Sequence, residues 1–145
     1  MGSRVKTEAD PRGHTRLDER IAEVRLKHDE VVKATNLATR PGITDEERKV
    51  AEDHLKKTQE DLAITVGKAA ELVVTEGIDL SSGQAANAAP VLVGSMGLIK
   101  EAEASRKIKE QLTTLRDSAT DNQLSMIDSM AVVGGFKIRR SRSGR

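Results

Sequence analysis

Residues 44–77, TDEERKVAEDHLKKTQEDLAITVGKAAELVVTEG, contain the pattern that decides the fold of this 145-residue chain. Small and apolar side chains recur there at alternating steps of four and three, the heptad spacing of an α-helix that packs against other helices. The stripe consists of Ala51, Leu55, Thr58, Leu62, Thr65, Ala69 and Leu72. Val66 and Val73 widen it, so this helix is able to face two partners.

Turn and capping residues mark the limits of two helices. Thr44 and Glu47 have the spacing of a capping box at the start of the second helix, and Gly77 is placed to end that helix in a left-handed conformation. A first heptad stripe lies upstream, before Pro41-Gly42, at Leu17, Ile21, Val24, His28, Val31, Thr35 and Ala38. We therefore predict helices over residues 16–39 and 44–76.

A third helix is predicted over residues 98–133, after an uncharged segment. Residues 80–99, LSSGQAANAAPVLVGSMGLI, contain no charged side chain. The stripe of the third helix is Ser105, Ile108, Leu112, Leu115, Ala119, Asn122 and Met126. Thr120 and Gln123 are spaced to cap a restart, which indicates a kink within residues 117–122, and Gly134-Gly135 ends the helix.

These elements predict an all-α fold, an elongated antiparallel three-helix bundle or coiled-coil-like rod with the second helix in the centre. Folding the third helix back on the second pairs residue 62 with 115 and residue 65 with 112, and makes Leu62 and Leu112 core residues. Residues 1–15 are predicted to be a flexible basic arm, residues 16–135 the helical domain, and residues 136–145 a basic tail. The uncharged segment lies at one end of the rod.

Composition argues for assembly and against catalysis. Phe136 is the only aromatic residue, and cysteine is absent, which excludes disulfides and thiolate metal sites. Leu, Ile, Val and Phe together number 33 of 145 residues, so the core is thin and oligomerisation is a way to complete its burial. No paired carboxylates, nucleophile motif or phosphate-binding loop is present, and we expect neither catalytic residues nor a cofactor.

Histidines are the only candidate metal ligands that merit a test. In the first hairpin His28 and His54 fall near one layer, where two imidazoles are able to meet around a divalent ion. The spacing compels no third ligand, so we expect no metal site. His14 belongs to the predicted arm.

Charge is distributed unevenly along the chain. Residues 137–145 contain five bases and no acid, whereas residues 17–136 contain 15 bases and 21 acids. The bases of the tail are Lys137, Arg139, Arg140, Arg142 and Arg145. Such a tail suits a nucleic acid, an anionic membrane or the acidic body of a neighbouring copy, and the sequence does not separate these partners.

The uncharged segment is predicted to be a contact between subunits. Its length fits a membrane span, but Ser81, Gln84, Asn87 and Pro90 make it only weakly apolar, so no transmembrane span is expected. The expected dry contact consists of Val91, Leu92, Val93, Met96, Leu98 and Ile99. The first twenty residues are polar and charged, so no signal peptide is expected either, and a soluble protein is predicted.

Together these features predict a non-enzymatic structural subunit of a larger homo-oligomeric assembly, such as a virion, a filament or a secretion-related component. The alternative is a small helical adaptor or effector that binds nucleic acid or an anionic membrane through its basic tail. A membrane-active protein that uses residues 80–99 is the third hypothesis.

Overall fold

The computed structural model of the chain describes residues 12–83 and 85–138, and their regular structure is entirely helical. Its helices are α1 (Arg12–Thr39), α2 (Asp45–Thr75), α3 (Ala88–Ser95), α4 (Ala102–Arg116) and α5 (Asp121–Gly134), with a short 3-10 turn, Met96–Leu98, between α3 and α4. The all-α prediction is confirmed. The three-helix bundle is not, because the described part of the chain contains five α-helices.

The first two helices form a hairpin that closes at Pro41-Gly42, where Gly42 has a φ of 76°. The capping box is present: the amide of Glu47 donates to Thr44 Oγ1 at 3.1 Å, and the amide of Thr44 donates to Glu47 Oε1 at 3.0 Å. Gly77 ends α2 in the left-handed region, with a φ of 62°. These boundaries confirm the sequence prediction to within one residue for α2.

The N-terminal boundary differs from the prediction. Helix α1 begins at Arg12, so residues 12–15 belong to a helix and not to the predicted arm. The remainder of the arm, residues 1–11, lies outside the described residues.

Helix α4 lies parallel to α2, not antiparallel as predicted. Gln59 Oε1 accepts hydrogen bonds from the amides of Lys100 and Glu101 at 2.7 and 2.6 Å, and Gln111 Nε2 donates to the carbonyl of Gly67 at 3.2 Å. In these contacts the residue numbers differ by a nearly constant 41 to 44, which defines a parallel arrangement. The register that paired residue 62 with 115 is therefore wrong: the segment after Gly77 returns along the bundle before α4 begins.

Where the sequence predicts a kink in one helix, the structure has two helices, α4 and α5, and the chain reverses its direction between them. Thr120 and Gln123 form the capping box that starts α5, and Gly135 ends it with a φ of 80°. Asn122 Nδ2 donates to Asp79 Oδ1 at 2.8 Å near the start of α5, and Gly97 lies close to the side chain of Val133 near its end. Helix α5 thus runs back beside the uncharged segment.

All five helices contribute to one core. Leu62 and Leu112 are fully buried, as predicted. Other large, fully buried side chains are Leu17, Val24, Val31, Val66, Leu92, Met96, Ile108, Ile127 and Met130. The predicted stripes of the first two helices do face this core, but the third layer is built from three separate helices.

Candidate functional site

Helix α2 is buried along only part of its length. Eleven of the seventeen residues from 58 to 74 are buried. None of residues 45–57, all of which the structure describes, is buried. Thirteen helical residues span about 20 Å, so a substantial part of the hairpin extends past the packed body. From here on, the arm means residues 36–57, the hairpin end of α1 and α2, and no longer the predicted N-terminal segment of residues 1–15.

The body ends at the layer of Gln59, where the start of α4 meets α2. Gln59 is buried and binds the two amides at that start, and Lys56 Nζ lies 3.9 Å from Glu101 Oε2. Past this layer, Ala51 and Leu55 are only half-buried, although they continue the heptad stripe. The arm therefore has an apolar seam that its own chain covers incompletely.

The outer face of the arm is also apolar at its centre. Val50 is 70% exposed, and Leu37 on α1 is half exposed. Helical spacing places Glu46 and Lys57 on the same side of α2 as Val50, one turn before it and two turns after it. The arm is electrically balanced, with five acids and five bases in residues 36–57.

The uncharged segment lies mostly inside the chain's own body. Leu92, Met96 and Ile99 are buried, and Val91, Val93 and Leu98 are partly buried and packed against the core. Leu92, Met96 and Ile99 thus pack within the chain, where α3 contacts α1, α2 and α5. A subunit contact at this segment stays a prediction, and the partly buried Val91, Val93 and Leu98 are the residues it leaves available. An uncharged, apolar stretch has the same sequence pattern whether it is buried within its own chain or between subunits, so the sequence alone did not distinguish these two arrangements.

A groove of about 360 Å³ lies between α1 and α3. Its α1 wall consists of Arg25, His28 and Asp29, and its α3 wall includes Pro90, Val91 and Ser95. His28 Nδ1 lies 3.9 Å from Asp29 Oδ1. The hydroxyl of Ser95 is buried and has no hydrogen-bond partner among the described residues. Sequence analysis missed this groove; its only signal was a serine inside an otherwise apolar run.

The histidines do not define a metal centre. His28 is partly exposed in the groove, and His54 is exposed on the arm. Within residues 12–83 and 85–138, no group of three or more histidine, aspartate or glutamate side chains is arranged to hold a metal ion. The side chain of His14 is not among those described.

The basic tail is rooted in the body. Phe136 and Ile138 are partly buried and packed against the core, so the packed body extends past the expected boundary at residue 135. The amide of Phe136 donates to the carbonyl of Ala131 at 3.0 Å, and the ring of Phe136 lies against Gly134. Lys137 is exposed. The other tail bases, Arg139, Arg140, Arg142 and Arg145, lie outside the described residues.

Two polar contacts fix α5 against its neighbours. Arg116, at the end of α4, is buried and pairs through Nη1 with Asp128 of α5. Hydrogen bonds from the hydroxyl and the amide of Ser81, and from the side chain of Asn122, hold the pKa of Asp79 below its ordinary value. The first contact joins α4 to α5, and the second joins the start of α5 to the segment that follows α2, so we assign both a structural role.

None of the helices formed by residues 12–83 and 85–138 is both long enough and apolar enough to cross a bilayer.

Comparisons with known proteins identify no relative: no protein-family model matches this chain, and no curated protein or solved structure shows a significant match. The arm, the groove and the tail root are therefore the observations on which a function can be based.

Proposed function

We propose that this protein is a non-enzymatic structural subunit that assembles with copies of itself, and that the arm is its contact surface. The observation that carries the proposal is the exposure of Val50, 70% of which is accessible at the centre of an arm that its own body does not support. A large apolar side chain contributes about 1.5–3 kcal/mol when it is fully buried. A two-fold contact buries two copies of each such side chain.

Charge complementarity favours a second copy as the partner. Glu46 and Lys57 lie eleven residues apart, close to three helical turns, and therefore share the face of Val50. When two α2 helices pack antiparallel through this face, Glu46 of each copy lies opposite Lys57 of the other. The same surface patch then serves both subunits, which is the requirement for an isologous two-fold contact.

A two-fold contact alone closes a dimer, and a filament or shell requires a further contact. Exposed apolar side chains at other places provide candidates, notably Leu26, 58% exposed on the outer side of α1, and Val132, 77% exposed on α5. The proposal therefore extends to a larger assembly, such as a virion, a filament or a secretion-related component, built from the arm contact and a second surface.

A charge-exchange experiment tests the arm contact. Glu46→Lys and Lys57→Glu each place like charges opposite each other at both ends of the two-fold contact, so each single variant should shift the dimer towards monomer. The double variant restores both ion pairs with reversed polarity and should recover the wild-type mass. Sedimentation velocity over a range of protein concentrations measures the outcome.

Lys109→Glu is the matched control, because Lys109 is exposed on α4, away from the arm. It should leave the association unchanged. A monomeric wild type at every concentration, or single variants that associate as strongly as the wild type, would contradict the proposed contact. All three positions are exposed, so circular dichroism should show unchanged helix content in each variant.

The basic tail supports a second candidate function, an adaptor that binds nucleic acid. Phe136 and Ile138 fix the root of the tail on the body, and residues 137–145 contain five bases and no acid. Because residues 137–145 contain no aromatic residue that could stack on bases, such binding would be electrostatic and independent of sequence.

A further inference from the structure

The groove between α1 and α3 is separate from the arm and has the properties of a small-molecule site. Its volume of about 360 Å³ lies within the range of small-molecule sites in proteins. One wall is charged and belongs to α1, while the other is largely apolar and belongs to α3. Neither wall belongs to the arm, so the groove is accessible whether or not two arms are in contact.

Ser95 supplies an independent observation that points to a ligand. Its residue is only 1% exposed, and its hydroxyl lacks a hydrogen-bond partner among the described residues. A hydroxyl within a helix usually donates to the carbonyl one turn before it, as Thr35 does to Val31 at 2.8 Å. Ser95 does not use this partner, and a buried polar group without one costs stability. Ser95 also lines the groove, so a rotation about its Cα–Cβ bond brings the buried hydroxyl to a molecule bound there.

The charged wall selects the class of ligand. Arg25 and Asp29 lie one helical turn apart on α1, with His28 between them, and all three line the groove. A simple anion would meet the carboxylate of Asp29, and a simple cation would meet the guanidinium of Arg25. A molecule with one charge of each sign satisfies both, because guanidinium groups pair well with carboxylates.

We propose that this groove binds a free α-amino acid with an aliphatic side chain. The carboxylate of the ligand pairs with Arg25 and accepts a hydrogen bond from Ser95 Oγ, and its ammonium group pairs with Asp29. The aliphatic side chain packs against Pro90 and Val91 on the opposite wall. Gly94, also in the α3 wall, has no side chain to obstruct this approach.

Isothermal titration calorimetry on the full chain tests the proposal with three matched probes. L-leucine contains both charges, 4-methylpentanoate lacks the ammonium group, and isoamylamine lacks the carboxylate. We expect saturable binding of L-leucine and at least tenfold weaker binding of the other two. Arg25→Gln should weaken leucine binding at least tenfold but leave isoamylamine unaffected, and Asp29→Asn should leave 4-methylpentanoate binding no weaker than it is in the wild type.

Ser95→Ala separates a ligand site from a packing defect. The substitution removes the unpaired hydroxyl, so the unliganded variant should melt at a temperature no lower than the wild type, whereas its affinity for leucine should fall severalfold. Lys33→Gln, an exposed substitution on α1 outside the groove, is the control and should bind leucine like the wild type. The Lys57→Glu variant of the arm should also bind leucine normally, which keeps this test independent of self-assembly.

Three results would overturn the proposal. They are the absence of saturable leucine binding by the wild-type chain, equal affinities for the three probes, and leucine binding that survives both Arg25→Gln and Asp29→Asn. A Ser95→Ala variant with raised melting temperature in a chain that binds no leucine would instead identify the Ser95 hydroxyl as an unpaired packing defect.

Discussion

At the scale of single residues, three glutamine side chains form hydrogen bonds from one helix to the backbone of a neighbouring segment. Gln59 accepts from two amides at the start of α4, Gln111 donates to the backbone of α2, and Gln123 Nε2 donates to the carbonyls of Val73 and Ile78 at 3.1 and 2.9 Å. Helix ends leave backbone groups unpaired, and Gln59 and Gln123 satisfy such groups at the start of α4 and around the end of α2. Glutamine occurs anywhere on helix surfaces, so the heptad pattern alone did not reveal these contacts.

The first prediction concerns the two core leucines. Leu62→Ala and Leu112→Ala should each lower the free energy of unfolding by about 2–5 kcal/mol, because both side chains are fully buried and truncation leaves a cavity. Leu26→Ala, at a position 58% exposed, is the control and should change it by less than about 0.5 kcal/mol. Urea unfolding followed by circular dichroism measures the three values; equal midpoints for all three variants would contradict the described core.

At the scale of helices, local sequence signals predicted where helices begin and end, but they did not predict the direction in which each helix runs. Capping boxes and left-handed glycines are short-range features, so the limits of α2 and the break between α4 and α5 followed from the sequence. The direction of α4 depends on where the segment after Gly77 leads the chain, a long-range property that heptad spacing cannot encode. Helix α3 was not predicted; it contains Pro90 in its first turn, a position at which proline is tolerated.

The capping box of α2 predicts a pH dependence in the arm. Hydrogen bonds from the backbone and the side chain of Thr44 hold the pKa of Glu47 below its ordinary value of 4.5. A carboxyl whose pKa is lowered by folding contributes stability above its unfolded pKa and loses that contribution as the pH falls through its folded pKa. The first turn of α2 should therefore fray on acidification below about pH 4.5.

Amide hydrogen exchange of residues 47–50, corrected for the intrinsic pH effect, measures this fraying. Thr44→Ala removes the cap and should make the first turn exchange quickly at every pH, with little further change on acidification. Glu52→Gln, an exposed position outside the cap, should retain the wild-type profile. Protection in the first turn that stays constant down to pH 3 would show that the ionised Glu47 does not hold it.

At the scale of the molecule, the proposed self-association, ligand binding and nucleic-acid binding use three separate places, which are the arm, the groove and the tail. The body, which comprises the described residues of 12–35 and 58–138, buries apolar side chains from all five helices in one core. The arm retains an apolar seam and an exposed valine, Val50, that the body does not cover. The groove lies on the body, and the tail emerges beside the end of α5, so variants at the three places should act independently.

The last prediction concerns a truncation of the tail, and the structure indicates at which residue the chain should be shortened. Deletion of residues 139–145 retains Phe136 and Ile138, which pack against the core, and removes Arg139, Arg140, Arg142 and Arg145. The truncated chain should therefore melt like the full one and, since we place self-association on the arm, keep its mass in sedimentation. Any binding of duplex DNA should weaken with salt by about 0.9 decades of affinity per decade of salt for each phosphate contacted, so the loss of four bases should reduce that slope by about 4. A truncated chain that dissociates would place the tail in the subunit contact, and an unchanged slope would exclude the tail from nucleic-acid binding.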